Sequence, residues 1–415
     1  MAERRGLVAR GNGRAYGDAA IGTRVTLGAL GLDRMKAFDP ESGRLTVEAG
    51  VLLSDILAAF LPRGFFPPVV PGTKLVTVGG MIASDVHGKN HHRDGSFGDH
   101  VERLTLVLPS GEAVSCGPKD QPELFRATVG GMGLTGIITE ATFRMRPVET
   151  GWIRQCSIVA TNLAGALKAL EDSAAATYSV AWIDCLARGA NMGRSLIFLG
   201  EHATRDEVAS AQPEADLRPQ ARAGRLSVPL DLPSLTLNKA TVAAFNEVYF
   251  RRGSKKGGEP FLTHWHPYFF PLDGVDRWNR IYGRRGFLQH QCVVPSTNAQ
   301  AVLSEILERV SRSGKASFLA VLKKMGAAGS LMSFPMEGYT LALDLRVTDD
   351  TFALLDDIDR IVVAAGGRLY LAKDARQSRQ TFEAGYPNLG RFNDLRRAIG
   401  ATGHMASHLS SRLGI

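Results

Sequence analysis

The sequence predicts an α+β protein of two domains, and three observations lead to that prediction. A chain of 415 residues exceeds the size at which one hydrophobic core stops growing. Up to about residue 147, short strand-like and helix-like runs are broken by glycine-rich turns. From about residue 148 the strand-like runs lengthen and alternate with helical patterns, an order typical of an antiparallel sheet packed against helices.

Apolar periodicity assigns the elements of the first part. Short strands are expected over residues 7–9 and 44–50, the second ending in a turn at its glycine. A helix is expected over residues 52–61, because its apolar residues recur at helical spacing and Pro62 ends it. Residues 104–112 are typical of a β-hairpin.

The pattern of the second part predicts strands that alternate with helices. Strands are expected over residues 179–184, 288–294 and 340–345, and helices over residues 299–312 and 352–365. The last fifty residues carry two short helical patterns.

Two stretches of the second part are expected to be weakly ordered. Residues 203–226 are charged and rich in Ala and Pro, and residues 250–258 are basic and rich in Gly. For the basic stretch, Arg251 to Lys256, two interpretations stay open. It is either a solvated loop or a mobile flap at the mouth of a site, where it meets phosphates or lipid head groups.

Composition excludes several classes of function. The net charge of +8 suits an anionic partner. Aromatic–basic RNA-binding patterns and zinc-finger spacing are missing, which argues against nucleic acid. A phosphorylated lipid at an anionic membrane surface fits the charge equally well. The sequence opens without a signal segment and has no apolar run of membrane-spanning length, so a soluble or peripheral protein is expected.

The cysteines predict no special chemistry. They are scattered without C-x-x-C spacing, which indicates neither a metal site nor a disulfide framework. We expect reduced, buried thiols at Cys116, Cys156, Cys185 and Cys292.

Three glycine-rich turns carry most of the functional information. They lie in residues 10–18 (RGNGRAYGD), 71–90 (PGTKLVTVGGMIASDVHGKN) and 127–138 (ATVGGMGLTGII). Glycine lets the backbone approach a ligand closely, and successive N–H groups in such turns bind anions. The first turn lacks G-x-G-x-x-G spacing, so a Rossmann fingerprint is not indicated. Together the turns predict one large phosphate-bearing cofactor held by several loops.

These segments resemble the FAD-binding half of the vanillyl-alcohol-oxidase-type flavoproteins. Within them the chain is similar, nearly end to end, to the decaprenylphosphoryl-β-D-ribose 2′-oxidase family of actinobacteria. The most specific matching motifs are residues 286–291 (GFLQHQ) and 367–376 (GRLYLAKDAR). The resemblance implies an FAD-binding domain over residues 1–147, a substrate-binding domain over 148–367 and a C-terminal return to the FAD-binding domain over 368–415.

The resemblance also implies an activity and its partners. Family members oxidise the ribose 2′-hydroxyl of decaprenylphosphoryl-β-D-ribose to the 2′-keto intermediate, the first step of epimerisation to the arabinose donor for cell-wall arabinan. A nicotinamide-dependent keto-reductase completes the epimerase. A polyprenyl-phosphoryl ribose substrate further implies peripheral contact with an anionic membrane, at the cytoplasmic or periplasmic face of the inner membrane.

Three residues are expected to act in catalysis. Lys373 matches the family's active-site lysine and would orient the sugar hydroxyl, act on its proton or neutralise flavin charge. His87 is the candidate proton acceptor, because the ordinary pKa of histidine lies near neutrality; a structural or cofactor-positioning role is its alternative. Tyr16 matches a tyrosine beside the flavin.

Cofactor and substrate residues follow from the same motifs. The expected FAD-binding residues are Arg10, Gly11, Asn12, Gly13, Arg14, Ala15, Tyr16, Gly17, Pro71, Gly72, Thr73, Thr77, Val78, Gly79, Gly80, Ser84, His87, Gly88, Asn90, Ser96, Gly98, Gly133, Gly136 and Ile137. The expected substrate-binding residues are Lys89, Trp182, Arg280, Gln289, Gln291, Lys323 and Lys373. Trp182 is alternatively a core residue and Arg280 alternatively part of a surface ion pair. No metal is expected.

The chain differs from the proteins it resembles at two residues and in the length of its N-terminal segment. Arg14 stands where covalent sugar-lactone oxidases carry the flavin-linking histidine, so FAD is expected to bind non-covalently. Ala342 stands where mycobacterial relatives carry an active-site cysteine. Only nine residues precede Arg10, whereas family members have a further strand–helix–strand segment there, so a truncated chain or a mis-set start is expected.

Two other functions stay open. One is a soluble alditol or sugar-lactone oxidase of the same superfamily. The other is a non-catalytic flavin-binding subunit of the epimerase.

Overall fold

The computed structural model describes residues 6–221, 226–233, 236–255, 257–315 and 317–415. The strands in chain order are β1 (Leu7–Arg10), β2 (Val25–Gly28), β3 (Met35–Asp39), β4 (Arg44–Glu48), β5 (Phe65–Phe66), β6 (Val101–Val107), β7 (Ala113–Cys116), β8 (Ile137–Arg144), β9 (Arg146–Pro147), β10 (Trp152–Ala160), β11 (Tyr178–Ile183), β12 (Ser195–His202), β13 (Leu226–Ser227), β14 (Phe261–His264), β15 (Val275–Asp276), β16 (Phe287–Pro295), β17 (Ala320–Met325), β18 (Gly338–Arg346) and β19 (Arg368–Leu369). The helices are α1 (Leu53–Phe60), α2 (Val78–Ala83), α3 (His91–Asp94), α4 (Pro122–Thr128), α5 (Leu163–Asp172), α6 (Arg205–Ala211), α7 (Lys239–Ser254), α8 (Trp265–Phe269), α9 (Ala299–Ser313), α10 (Asp349–Ala364), α11 (Arg379–Gly385), α12 (Leu389–Ala398) and α13 (His408–Leu413).

A five-stranded antiparallel sheet forms the core of the first part, in the order β3-β4-β8-β6-β7. Strand β4 buries Leu45 and Val47 and pairs with β8. Helix α1 begins after Leu52 and buries Leu53, Ile56, Leu57 and Phe60, the helical spacing that its sequence predicts. Residues of the glycine-rich turns line a cavity.

An eight-stranded antiparallel sheet dominates the second part, in the order β14-β10-β12-β11-β17-β18-β16-β19. Its two faces differ because successive side chains of a strand point to opposite sides. On one face a cross-strand row of apolar residues, Ala181, Leu322, Leu341 and Cys292, packs into the core that α5, α9 and α10 cover. On the other face the adjacent row, Trp182, Val321, Ala342 and Gln291, faces the cavity.

The C-terminal segment packs against the first part. After β19, helices α11, α12 and α13 bury Phe382, Phe392 and Leu409 in a third core that also contains Ala19 and Met132. The sequence patterns indicated two helices here, whereas the structure has three, because the last is a six-residue helix with a Ser cap that short periodicity does not reveal.

The strands and helices expected from periodicity are confirmed in each case, with boundaries shifted by a few residues. The expectation of a weakly ordered segment at residues 203–226 is wrong for its start. Thr204 and Glu207 form a capping box that begins α6, and Val208 is buried. Residues 222–225 lie outside the described residues. Three cysteines are buried as expected, but Cys156 is only half-buried.

The expectation of a basic loop at residues 250–258 is wrong for residues 250–254, which are helical. Arg251 and Arg252 lie in the last turn of α7, a helix that Asn238 caps by accepting hydrogen bonds from the backbone N–H groups of Ala240 and Thr241. Glu247 pairs with Arg251 one turn away. Lys256 lies outside the described residues. Across the described ranges no helix combines the length and the apolar character needed to cross a membrane.

Candidate functional site

A cavity of about 1220 Å³ lies between the glycine-rich turns and the face of the eight-stranded sheet that carries Trp182, Val321, Ala342 and Gln291. This volume exceeds the roughly 300–1,000 Å³ of a pocket for one drug-sized ligand, so it accommodates a large ligand or two ligands side by side. Most of the residues predicted for the site line it: Gly11, Asn12, Gly13, Arg14, Ala15, Tyr16, Pro71, Gly72, Thr73, Thr77, Gly79, Gly80, Ser84, His87, Gly88, Lys89, Gly133, Gly136, Trp182, Gln289, Gln291, Lys323 and Lys373.

The first two glycine-rich turns touch each other at one wall. A Cβ added at Gly11 would lie 2.2 Å from Oγ1 of Thr77, so glycine alone lets the two turns meet. Thr77 caps α2 by accepting a hydrogen bond from the N–H of Gly80. The contact brings two glycine-rich backbones to the same wall of the cavity.

This wall fits a phosphate-bearing cofactor. Gly72 lines the cavity and has no atom within 4 Å of where its Cβ would be, so its backbone is open to a ligand. Gly13 and Gly133 adopt positive φ angles of 62° and 75°, which aim their peptide groups in directions that other residues rarely allow. Three glycine-rich backbones around one large cavity are suited to a dinucleotide.

Some expected site residues lie away from the cavity lining: Arg10, Gly17, Val78, Asn90, Ser96, Gly98, Ile137 and Arg280. Asn90 is turned inward and donates hydrogen bonds to Pro68 O and Asp94 Oδ2, so it supports the second turn. Arg280 donates a hydrogen bond to the carbonyl of Pro229, and its Nε lies 4.0 Å from Asp231 Oδ1. This contact is the surface ion pair that was the alternative interpretation of Arg280. Its neighbour Asn279 lines the cavity.

Lys373 and Tyr16 form the centre of the site. The Lys373 Nζ lies 3.8 Å from the centroid of the Tyr16 ring, a cation–π contact. The N–H of Tyr16 donates to the carbonyl of Ala372, and a Cβ at Gly17 would lie 1.8 Å from the carbonyl oxygen of Asp374. The first turn and the Lys373 segment are therefore packed backbone against backbone, which fixes the amine over the ring.

Lys89 and Lys323, which form no salt bridge with any described residue, make this end of the cavity electropositive. Burial lowers the pKa of Lys89 to about 7, with a further contribution from Lys323. Burial also lowers the pKa of Lys323 to about 7, with repulsion from Lys373 as the second cause. Lys89 Nζ donates to the carbonyl of Tyr268 and lies 4.2 Å from the centroid of that ring. Buried amines in this state favour an anion beside them.

A hydrogen-bonded chain determines the tautomer of His87. Thr340 Oγ1 donates its hydrogen to the carbonyl of Cys292 at 2.8 Å. It can therefore only accept a hydrogen bond from Gln291. Gln291 Nε2 therefore faces Thr340, at 3.2 Å, and also lies 2.9 Å from His87 Nε2. An amide N–H donates, so His87 Nε2 accepts and Nδ1 carries the proton.

His87 is consequently held neutral with one free donor. Its pKa is lowered well below the ordinary value by burial, and then by the positive charges of Lys323, His91 and Lys373. Its Nδ1 is buried and makes no hydrogen bond to the described residues. The expected role of His87 as proton acceptor stays a prediction; in this arrangement its Nε2 already accepts from Gln291.

Asp344 and Thr340 are site residues that the sequence analysis missed. Asp344 is fully buried beside Gln289, whose Nε2 donates to its Oδ1, and burial raises its pKa while the charge of Lys373 opposes the rise. In turn Asp344 opposes the lowering of the Lys373 pKa by burial. Leu341, Leu343 and Leu345 alternate with these residues, so the period of the strand was the signal that placed both on the cavity side.

Comparisons with known proteins show the family of the chain. The FAD binding domain family matches residues 1–117. Decaprenylphosphoryl-beta-D-ribose oxidase of Mycolicibacterium smegmatis is 38% identical over 99% of this chain and 89% of its own length. An uncharacterised protein of Streptomyces coelicolor, encoded in the mprA 5′ region, is 33% identical over 88% of this chain and 100% of its own length. Cytokinin dehydrogenase 4 of Arabidopsis thaliana is 30% identical over 36% of this chain and 30% of its own length.

Proposed function

Because the chain belongs to the decaprenylphosphoryl-β-D-ribose oxidase family, an FAD-dependent oxidoreductase family, we propose that it oxidises the ribose 2′-hydroxyl of a polyprenyl-phosphoryl ribose. The product is the 2′-keto sugar, the first intermediate of epimerisation to the arabinose form. The observation that carries the proposal is the half-buried Lys373 over Tyr16, at the junction of the glycine-rich turns and the sheet.

FAD, when bound, supplies the acceptor for the hydride that leaves the 2′-carbon. The protein has to accept the hydroxyl proton, and we assign that role to the Lys373 amine. Burial lowers its pKa, so a larger fraction of the amine is neutral near physiological pH than for an exposed lysine. Tyr16 stays un-ionised, because burial and the nearby Asp344 raise the pKa of its hydroxyl.

The remaining side chains orient the sugar and its phosphate. Lys89 and Lys323 are assigned to the phosphate, whose negative charge would offset their mutual repulsion. Gln289 and Gln291 project from the same face of β16 into the cavity and are assigned to the sugar hydroxyls. We assign cofactor binding to residues 1–147 together with 368–415, and substrate binding to residues 148–367.

Two partners belong to the proposal. The keto sugar requires a nicotinamide-dependent reductase to complete epimerisation. An anionic membrane would supply the lipid-linked substrate, and the exposed Arg251, Arg252 and Lys255 near the end of α7 would contact its head groups. Replacing the three with glutamine is expected to weaken binding to vesicles that contain anionic lipid; unchanged binding would contradict the membrane contact.

Anaerobic mixing tests the oxidation. Purified holoprotein mixed with decaprenylphosphoryl ribose is expected to lose the absorbance of oxidised flavin in a single exponential. Decaprenyl phosphate, which lacks the sugar, is the matched control and should leave the spectrum unchanged. Flavin that stays oxidised with the ribosyl substrate, in a protein that retains its cofactor, would refute the proposed function.

A further inference from the structure

Helix α7 presents large apolar side chains to solvent. Phe245, Val248 and Tyr249 are 46%, 50% and 38% exposed and follow the three- and four-residue spacing of one helix face. Val242 and Asn246, on the adjoining side of the helix, are buried. An exposed patch of this kind generally marks a binding surface.

The orientation of α7 is fixed rather than accidental. Asn246 Nδ2 donates to the buried Asp184 at 2.7 Å, and Arg194 bridges Asp184 and Glu247 at 2.8 Å each. Gly253 lies so close to β12 that a Cβ would be 2.2 Å from the Leu196 side chain. Polar contacts and close packing therefore hold the apolar face of α7 outward.

The exposed face is continuous with the cavity. Tyr249 lines the cavity, and its ring centroid lies 4.9 Å from that of Trp182, which also lines it. Phe245 stacks on Tyr249 at 5.8 Å on the outer side. The cavity wall beside them is apolar and is formed by Val180, Trp182, Phe198, Leu319 and Val321. An apolar surface thus leads from the cavity to the outside of α7.

We propose that this surface, defined by Trp182, Tyr249, Phe245 and Val248, is the subsite through which the polyprenyl chain leaves the cavity. The proposal rests on the proposed function, from which the substrate class is taken. A sugar at Lys373 places its phosphate among the lysines, so the attached chain has to pass along an apolar wall. The wall that ends at α7 offers aromatic contacts along its length and an exit to solvent or membrane.

The test compares chain lengths. Phe245→Gln combined with Val248→Gln makes the outer face polar while keeping good helix formers. We expect kcat/KM for decaprenylphosphoryl ribose to fall about ten-fold, and that for geranylphosphoryl ribose to change less than two-fold, because only the long chain reaches the outer face. Phe352→Gln is the matched control, since Phe352 is 41% exposed on α10, outside the cavity lining, and should change neither value.

A binding measurement separates this inference from the proposed function. The dissociation constant of decaprenyl phosphate, but not of geranyl phosphate, should rise in the double variant. If wild-type protein oxidises neither ribosyl substrate yet binds decaprenyl phosphate through α7, the proposed function is wrong and the subsite stands. Equal losses with both chain lengths, or no loss with either, would overturn the subsite. A loss of vesicle binding with unchanged binding of both phosphates would also overturn it, since α7 would then be a membrane contact only.

Discussion

The ammonium nitrogen of Lys373 lies 3.8 Å from the centroid of the Tyr16 ring, although these residues stand at opposite ends of the chain. The contact holds a half-buried amine in a defined position, and among the described residues no oxygen accepts a hydrogen bond from it. The amine is thereby positioned yet still available to a substrate hydroxyl.

Removing the amine should therefore abolish the chemistry and leave the fold intact. Lys373→Met is expected to slow flavin reduction by about 100-fold, the usual loss for a key preorganised group. Stopped-flow absorbance measures the rate, and the FAD content per chain shows that the site survives. Tyr16→Phe keeps the ring and should lose less than ten-fold. Lys168→Met, at an exposed residue of α5, is the control. A rate for Lys373→Met within ten-fold of wild type would exclude Lys373 as proton acceptor.

The tautomer of His87 should depend on Thr340. Thr340→Val removes the acceptor that orients Gln291, so the amide can turn and present its oxygen to His87. We expect the proton of His87 to redistribute between Nδ1 and Nε2, visible in ¹⁵N NMR, and flavin reduction to fall roughly five-fold, the worth of one hydrogen bond. Thr340→Ser keeps the hydroxyl and should behave as wild type. Unchanged ¹⁵N shifts in Thr340→Val would contradict the hydrogen-bonded chain from Thr340 through Gln291 to His87.

The lysine cluster should make the stability of the substrate-free protein rise with pH. The unfolded chain keeps the Lys323 proton up to the ordinary pKa of 10.5, whereas the folded chain releases it at about 7. Between these values the unfolded state binds more protons, so the free energy of unfolding increases as the pH rises. Lys323→Met should raise Tm at pH 7 by about 2 °C or more and flatten the rise toward pH 9.5. Calorimetry that finds the wild-type slope retained would contradict a shifted pKa at Lys323.

FAD should be released without breaking a covalent bond, because Arg14 replaces the flavin-linking histidine of covalent relatives. After precipitation with trichloroacetic acid, we expect the yellow colour in the supernatant. Arg14→His places an imidazole at the cavity lining and tests whether this position suffices for attachment. Colour that stays with the wild-type pellet would refute non-covalent binding.

Gly17→Ala should displace residues of the site, although Gly17 itself does not line the cavity. The added Cβ would lie 1.8 Å from the carbonyl oxygen of Asp374, so either the first turn or the Lys373 segment has to move. Overpacking of this kind costs about 1–3 kcal/mol, measurable as a lower urea midpoint, and the reduction rate should fall with it. Gly390→Ala in α12, where nothing lies within 4 Å of the new Cβ, should be neutral or stabilising. Equal effects of the two changes would mean that the Gly17 contact is unimportant.

The sequence alone predicted those parts of the structure that depend on local patterns. Core strands such as β18 and helices such as α9 follow from apolar periodicity, and the glycine-rich turns are visible as composition. Asp344 was missed because a polar residue between buried leucines is usually solvent-facing, whereas here it is fully buried beside Gln289, which lines the cavity. Helix α7 was missed because its exposed face is apolar and its buried face carries Asn246, the reverse of the usual pattern.

The backbone contact between Gly17 and Asp374 can form only after the intervening chain has been synthesised. During synthesis the glycine-rich turns emerge first, and the peptide that supplies Lys373 emerges near the end. The second part of the chain has to be made before Tyr16 can meet its cation, and contacts of such high sequence separation form slowly. A ribosome that stalls or a protease that cuts ahead of residue 372 would thus leave a chain with its glycine-rich turns but without its reactive amine.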